Sequence, residues 1–408
     1  MSRWRRFIIL LSLIGPGIIT ANVDNDAGGI TTYSIAGASF GYSFLWSLIP
    51  ITIALIVVQE MSARMGVVTG KGLAELIREN YGVKVTFWLM LALSVTNIGN
   101  TAAEFAGWAA SNELFGVNKY ISVPIGAAFV WLLVVKGTYQ LVENIFLVIC
   151  VVYLVYIPAA FLAKPDWAQV GIEMIIPSFR FNTTYIIMLI GIVGTTIAPW
   201  MQFYLQSSVV EKGIKKEKYW ASRIDVIFGC FMTDIIALFI IVACGATLFK
   251  AGIQIESAKD AAVALEPIAG KYASVLFGIG LANASLFSAS ILPLATAYSI
   301  CEGMGFEAGV NKTFRDAPIF MSLYTLFIII GALVVLIPNI PLIKIMWLSQ
   351  VVNGVMLPFV LFFMLLLINK SDLMGDYINK GAFNWIAWGT TVIMVILTLL
   401  SVLSMFFG

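Results

Sequence analysis

Residues 23–29 read VDNDAGG, and they interrupt an apolar run that extends from residue 7 to residue 40. A second apolar run, over residues 184–210, is interrupted in a similar way by TTIAPW at residues 195–200. Glycine and proline break the hydrogen-bond ladder of a helix, and backbone groups freed inside a bilayer must be buried in protein or line a cavity. Two broken membrane helices are typical of secondary transporters, whose substrate sites lie near the bilayer midplane.

The composition of the chain is that of a membrane protein. Of its 408 residues, 60% are hydrophobic and 11% are charged, with a mean hydropathy of +0.96, whereas a soluble domain is about half apolar and about a quarter charged. Because the net charge is only +2, we expect no nucleic-acid partner. The chain contains no histidine, which excludes histidine metal ligands, histidine general bases and histidine proton relays.

Hydropathy predicts eleven membrane spans within one transmembrane transporter domain over residues 1–408. The predicted spans are 7–40 (interrupted), 43–66, 86–110, 121–136, 143–163, 184–210 (interrupted), 220–248, 272–303, 317–337, 341–368 and 384–407. Two five-helix repeats would cover about 7–163 and about 184–368, which makes the broken spans one and six correspond, and the span at about 384–407 would be an extra helix.

The distribution of basic residues predicts the orientation in the membrane. Of the 24 Lys and Arg residues, 17 fall on the side of the N-terminus and 7 on the other side. Since cytoplasmic loops carry the excess of Lys and Arg, we expect the N-terminus in the cytoplasm and the C-terminus outside. The expected partners are the lipid bilayer and a divalent metal ion as substrate, and the chain is expected to be a monomer.

Acidic residues inside the apolar runs are candidates for a cation site. Asp24 and Asp26 lie at the first break, where a charge in mid-membrane costs several kcal/mol. They lie either at a helix end in the headgroup region or in a cation site, and the apolar segments on both sides favour the second interpretation. Carboxylates and freed carbonyl oxygens suit Mg²⁺, Ca²⁺ or Mn²⁺. Asp234 in span seven either pairs with a neighbouring helix or is functional.

Neutral polar side chains near the second break offer further oxygen atoms. Pro199 frees carbonyl groups around Thr195 and Ala198, and Gln202 and Gln206 follow within two turns. The two glutamines serve either as oxygen ligands or as hydrogen-bonding contacts between helices.

Two further spans each carry a polar face. Asn97, Asn100 and Glu104 share one face of span three, and only Glu104 can titrate. Gln350 and Asn353 share one face of span ten, where they either join helices or line a hydrated ion path. A proton relay usually needs a chain of titratable groups, and the two asparagine amides of span three can hold water but cannot change charge.

Taken together, these segments resemble the Nramp family of metal-ion transporters. The similarity lies in GPG at 15–17 followed by DAGG at 26–29, SARMGVVTGK at 62–71, residues 194–210, and SQVV at 349–352 with LPF at 357–359. The resemblance implies an all-α membrane protein with the LeuT-type fold of two inverted five-helix repeats, which works by alternating access.

The resemblance also implies roles for individual residues. By position, Asp26 matches the family's metal-binding Asp and Thr195 the residue that offers a backbone carbonyl, whereas Gly29 replaces a metal-binding Asn and Ala198 a metal-binding Met. The predicted metal site comprises Asp26, Thr195, Ala198, Gly29, Asp24 and Gln202. The predicted surroundings and ion path comprise Asn25, Gln350, Asn353, Trp200 and Gln206, of which Trp200 and Gln206 stand in the regions of two family histidines. The altered proton path comprises Asn97, Asn100 and Glu104, where the two asparagines replace an Asp and a Glu.

These replacements predict the cargo. A thioether favours transition metals, and Ala198 removes it; Gly29 widens the pocket, which suits Mg²⁺ because that ion dehydrates reluctantly. The pattern resembles the prokaryotic Nramp-related magnesium transporters, which carry Mg²⁺ and Mn²⁺ without proton coupling. We therefore expect a potential-driven transporter in the plasma membrane of a prokaryote, with no resident cofactor and no enzymatic activity.

Three alternatives remain open from the sequence. The first is a proton-coupled Mn²⁺/Fe²⁺ transporter of the Nramp family with divergent ligands. The second is an amino-acid transporter of the same fold, which Asp24 and Asp26 disfavour because they would repel a substrate carboxylate. The third is a membrane scaffold or receptor, which the two broken helices disfavour.

Overall fold

The structure is a computed structural model that describes Gly17, Thr20 and residues 23–136, 154–309 and 312–407, with side chains described up to residue 400. Within these residues, nine helices are long and apolar enough to cross a membrane. They correspond to the predicted spans two to four and six to eleven. Most of residues 7–22 of the first predicted span, and residues 143–153 of the fifth, lie outside the described residues.

The first half of the described chain is built from eight helices. They are α1 (Ala27–Phe40), α2 (Leu45–Thr69), α3 (Leu73–Glu113), α4 (Lys119–Lys136), α5 (Tyr156–Leu162), α6 (Trp167–Ile175), α7 (Thr183–Thr196) and α8 (Pro199–Glu211). Helix α3 is interrupted at Gly82, whose φ of 82° and ψ of 164° separate a short first segment from the long membrane span.

The second half adds eight more helices. They are α9 (Tyr219–Cys244), α10 (Ala258–Ala262), α11 (Glu266–Ala269), α12 (Ala273–Met304), α13 (Pro318–Leu336), α14 (Leu342–Ile368), α15 (Ser371–Met374) and α16 (Ala382–Phe407). A π-helical turn, Gly245–Phe249, continues α9.

Local sequence signals set the helix ends that matter for the site. Asp26 caps the N-terminus of α1, Asn182 caps α7 by accepting a hydrogen bond from the Tyr185 N–H at 2.7 Å, and Pro199 occupies the first turn of α8. Acceptor side chains at the N-cap and proline at the first helical position are the expected helix-start residues. Asp26 and Pro199 are both buried, so α1 and α8 begin within the protein interior, and α7 ends there at Thr196, just before Pro199.

The broken helices form the centre of the protein. In the most apolar 18-residue stretch of Thr183–Glu211, 94% of the residues are buried, whereas in the corresponding stretch of Ala382–Leu400 only 22% are buried. The outer helices expose large apolar side chains such as Ile125 of α4 and Trp385 of α16, as a surface facing lipid does. The site candidates of α1, α7 and α8 therefore lie away from the lipid.

Glycines allow α7 and α14 to touch backbone to backbone. A Cβ on Gly354 would lie 2.5 Å from the Ile190 carbonyl oxygen, and a Cβ on Gly194 would overlap the Gln350 carbonyl and the Gly354 amide nitrogen. Small residues at such crossings let membrane helices approach closely. This contact fixes the position of the second break against α14.

Candidate metal site

The first break places three polar residues in the protein interior. Asp24, Asn25 and Asp26 are exposed by 2%, 0% and 4%, respectively. The Asp26 Oδ1 atom accepts a hydrogen bond from the Gly29 N–H at 2.5 Å, which caps α1. The carboxylate therefore lies at the N-terminal end of a helix, where the helix dipole stabilises negative charge.

Oxygen atoms from both breaks converge beside Gly29. A Cβ at this position would lie 2.5 Å from the Asp24 carbonyl oxygen, 3.2 Å from Thr195 Oγ1 and 3.3 Å from Asp26 Oδ1. We call the space between these three oxygens the Gly29 cradle. The Thr195 hydroxyl oxygen is buried and has no hydrogen-bond partner among the described residues. Carboxylate, carbonyl and hydroxyl oxygens are the donors that hard divalent cations take, so the cradle fits such a cation.

At the second break, the Thr195 carbonyl lacks a helical hydrogen bond, whereas the Ala198 carbonyl accepts hydrogen bonds. Since Pro199 has no N–H, the Thr195 carbonyl lacks the donor that a continuous helix would provide. The Ala198 carbonyl accepts hydrogen bonds from the Met201 N–H at 3.1 Å and from Gln202 Nε2 at 3.2 Å. Of the two carbonyls that the sequence singles out, that of Thr195 is the one left for a ligand.

The other polar residues of α8 hold this helix to its neighbours. Gln202 Oε1 accepts a hydrogen bond from Ser62 Oγ at 3.4 Å, and Gln206 Nε2 donates to the Lys71 carbonyl at 2.8 Å. Trp200 is buried and packs against Tyr204, with ring centroids 6.2 Å apart. Gln206 is seven residues past the start of α8, about 10 Å along the helix, and so lies at the end remote from the break.

Helix α3 brings a further carboxylate to the first break. Glu104 is fully buried, and its Oε2 atom accepts a hydrogen bond from the Ala27 N–H at 3.3 Å. Its Oε1 atom has no hydrogen-bond partner in the described part of the chain. Glu104 therefore lies against the metal-site candidates and not only on the polar face of α3.

A chain of amide side chains joins α12, α3 and α14. Asn97 Nδ2 donates to Thr296 Oγ1 at 2.9 Å, and Asn100 Nδ2 donates to Asn353 Oδ1 at 2.8 Å and to Asn97 Oδ1 at 3.4 Å. Asn353 Nδ2 donates in turn to Gln350 Oε1 at 2.8 Å. We call these four amide residues the amide chain. The structure thus brings together two polar faces that the sequence shows only separately.

The amide chain ends at the first break. A Cβ on Gly28 would overlap the Gln350 amide nitrogen, so this side chain packs directly on the backbone next to the Gly29 cradle. All four side chains of the amide chain are neutral at physiological pH. The amide chain can hold the first break in position, but its side chains cannot transfer a proton to it.

The acidic groups do not form a dense metal cluster. Across the part of the chain that the structure describes, no three Cys, Asp or Glu side chains are grouped so that they could hold a metal ion. This excludes, for those residues, a structural zinc-type centre. A cation here would rely on one or two carboxylates together with neutral oxygens.

Asp234 of α9 is a buried acid for which the sequence left two interpretations open. Its side chain is exposed by only 6%, and neither of its carboxylate oxygens has a hydrogen-bond partner among the described residues. It does not pair with a basic residue there. The position of α9 against the first break could not be read from the sequence.

Comparisons with known proteins agree with this architecture. A family model described as natural resistance-associated macrophage protein-like, or Nramp, matches residues 17–404. Two curated bacterial proteins named divalent metal cation transporter MntH are each 27% identical. The Deinococcus radiodurans protein aligns over 402 residues, 95% of this chain and 88% of its own, and the Clostridium acetobutylicum protein over 424 residues, 98% and 92%.

Solved structures show the same fold. The Eremococcus coleocola manganese transporter, in complex with an aromatic bis-isothiourea compound, matches with a TM-score of 0.76 at 22% identity, over 99% of this chain and 88% of its own. MhsT, solved with L-phenylalanine, matches with a TM-score of 0.60 at 14% identity, over 95% and 98%. These likenesses confirm the predicted all-α, LeuT-type fold.

Proposed function

This chain belongs to the Nramp family of membrane metal transporters and is not an enzyme, and we propose that it moves Mg²⁺, together with Mn²⁺, by alternating access without proton coupling. The membrane would be the plasma membrane of a prokaryote, since the curated relatives described above are bacterial. The excess of Lys and Arg on one side supports an N-terminus in the cytoplasm and a C-terminus outside.

The Gly29 cradle is the observation that carries the proposal. Its oxygens come from Asp24, Asp26 and Thr195, and they are hard donors of the kind that Mg²⁺ and Mn²⁺ accept. Ala198 at the second break supplies no thioether, and Gly29 places no side chain in the cradle. A site of this kind suits an ion that keeps part of its hydration shell, as Mg²⁺ usually does.

The amide chain supports the absence of proton coupling. Asn97 and Asn100 stand on the polar face of α3 and bond to other neutral groups, so this route has no chain of titratable side chains. The membrane potential can drive a divalent cation inward without protons. At about 100 mV, inside negative, it contributes about 4.6 kcal/mol for two charges.

A second candidate is a proton-coupled Mn²⁺/Fe²⁺ transporter. The names of the relatives favour it, because the curated relatives are called divalent metal cation transporters and the solved structure is that of a manganese transporter. Glu104 adds a titratable carboxylate next to the first break. Manganese is thus the cargo that the comparisons support more directly, and magnesium is the cargo that the donor set favours.

Ion fluxes into proteoliposomes test the proposal. Purified protein would be reconstituted with a Mg²⁺ indicator and a pH indicator inside the vesicles, under an inside-negative potassium diffusion potential. We expect Mg²⁺ and Mn²⁺ to enter in proportion to the potential while the internal pH stays constant. Acidification that accompanies cation entry would favour the proton-coupled candidate, and the absence of any Mg²⁺ flux beside normal Mn²⁺ flux would overturn the choice of magnesium.

A further inference from the structure

The carboxylate of Asp24 is not used by the Gly29 cradle. Asp24 contributes its backbone carbonyl oxygen there, 2.5 Å from the Cβ position of Gly29. Both of its side-chain oxygens are buried and have no hydrogen-bond partner among the residues that the structure describes. A buried carboxylate that accepts no hydrogen bond is unfavourable unless some other group compensates its charge.

Asp234 is a second carboxylate in the same condition. Asp234 is exposed by only 6%, and neither of its carboxylate oxygens has a hydrogen-bond partner in the described part of the chain. The Thr52 hydroxyl lies beside Asp234 and donates a hydrogen bond to the Leu48 carbonyl at 2.7 Å. No Lys or Arg among the described residues forms a salt bridge with Asp24 or Asp234.

A hydrogen bond joins the first break to α9 next to the two acids. Asn25, which follows Asp24, donates from Nδ2 to Oγ1 of Thr233, which precedes Asp234, at 3.4 Å. Asp24 and Asp234 are the chain neighbours of these two bonded residues, so the two buried acids lie on facing segments. Two buried like charges in low dielectric are strongly unfavourable, and a bound cation removes this cost.

We propose that Asp24 and Asp234, with Asn25 Oδ1 beside them, form a second divalent-cation site between the first break and α9, separate from the Gly29 cradle. Asn25 Oδ1 is likewise buried and without a hydrogen-bond partner among the described residues. Two carboxylates neutralise one divalent ion, and an amide oxygen adds a neutral ligand of the kind that such ions accept. The proposed function enters only in the choice of a divalent cation, and the second site does not depend on transport.

Titration with Mn²⁺ on variants that lack the first site provides the test. Asp26→Asn removes the carboxylate charge of the Gly29 cradle, so binding that remains would report on the second site. We expect this variant to bind one Mn²⁺ per chain in calorimetry, and we expect Asp26→Asn with Asp234→Asn, or with Asp24→Asn, to bind none. The matched control combines Asp26→Asn with Asp225→Asn, which alters another buried acid of α9 that accepts from the Gly17 N–H at 2.7 Å; it should still bind one.

Thermal unfolding shows whether a variant that no longer binds Mn²⁺ is still folded. Mn²⁺ should raise the melting temperature of the Asp26→Asn protein but not that of the variant with Asp234→Asn, while both remain monodisperse. Loss of all Mn²⁺ binding in Asp26→Asn alone, or retention of binding after Asp234→Asn is added, would overturn the second site. Because the measurement is binding, an absence of transport in the wild-type protein would count against the proposed function and leave this inference intact.

Discussion

The first break is bordered by two buried polar regions that are built in opposite ways. On one side, the carboxylates of Asp24 and Asp234 have no hydrogen-bond partners among the described residues. On the other side, the amides of Asn100 and Asn353 are joined at 2.8 Å. Buried polar groups in proteins are normally satisfied, so the amide chain has the contacts expected of groups that hold helices together. The carboxylates have those expected of groups that complete their contacts with a bound ion.

The largest effect should come from the acidic side. We expect Asp26→Ala to abolish divalent-cation flux, a loss of at least about 100-fold, because a ligand charge disappears and outer contacts of metal ligands alone are worth 10 to 100-fold. Removal of the helix cap would add a stability loss of about 1 kcal/mol. Uptake of Mg²⁺ and Mn²⁺ into proteoliposomes is the measurement.

Asp26→Asn separates the charge from the cap. Its side-chain oxygen can still accept from the Gly29 N–H, so the start of α1 should stay intact while the carboxylate charge is lost. We expect near wild-type stability and no flux. Normal Mg²⁺ uptake by this variant would show that the Gly29 cradle is not the transport site.

The next largest effect should come from filling the cradle. A Cβ introduced by Gly29→Ala would lie 2.5 Å from the Asp24 carbonyl oxygen, so the oxygens must move apart. We expect flux to fall by roughly 10 to 100-fold, as for other disturbances of ligand orientation. Gly191→Ala is the matched control, since a Cβ there meets its nearest neighbours at 3.4 Å, an ordinary contact. Equal flux in both variants would argue against a cation bound beside Gly29.

Much of the fold could be predicted from the sequence because the bilayer restricts the possibilities. The breaks at 23–29 and 195–200 were predicted from glycine, proline and hydropathy, and the LeuT-type fold from the resemblance to the Nramp family; both predictions are confirmed. The short helix α6 was not predicted, because it is too short for a membrane span and its residues were treated as a connection. Such segments lack the length that makes hydropathy informative.

The site could be predicted only as far as contacts within one helix. The shared face of Asn97, Asn100 and Glu104 follows from helical periodicity. That Asn100 bonds to Asn353, and that the first break contacts α9 beside Asp234, depends on how helices far apart in sequence pack together. No local pattern in a single sequence contains that information, so the assignment of ligands stays a prediction.

A smaller effect is expected when the amide chain receives a charge. Asn100→Asp removes the hydrogen-bond donor to Asn353 Oδ1 and places two acceptors against each other. We expect the free energy of unfolding to fall by about 1–3 kcal/mol, the cost of leaving a buried group unsatisfied. Thermal or denaturant unfolding in detergent is the measurement.

Asn283→Asp serves as the control for this substitution. The Asn283 amide is also buried in a membrane helix, but its Nδ2 atom has no partner among the described residues. The same change should therefore remove no bond and destabilise the protein less. An equal loss in the two variants would mean that the hydrogen bonds of the amide chain add nothing beyond the burial of a charge.

The smallest effect should come from the far end of the amide chain. Thr296→Val keeps the shape of the side chain but removes the acceptor for Asn97 Nδ2, a neutral bond of 2.9 Å. Hydrogen bonds between membrane helices average about 0.6 kcal/mol, so we expect a loss of that size in unfolding measurements and unchanged cation flux. A loss of cation flux would show that the Thr296 end of the amide chain takes part in transport and is not only structural.

The backbone contact between α7 and α14 has a mechanical consequence. With Gly194 resting on the Gln350 carbonyl and Gly354 resting on the Ile190 carbonyl, neither helix can slide past the other without steric overlap. When the second break tilts during a transport cycle, α14 must tilt with it, and the Gln350 amide that packs on Gly28 is carried along. The two breaks are thereby linked mechanically through the backbone of α14 and the Gln350 side chain, so a movement at one break is transmitted to the other.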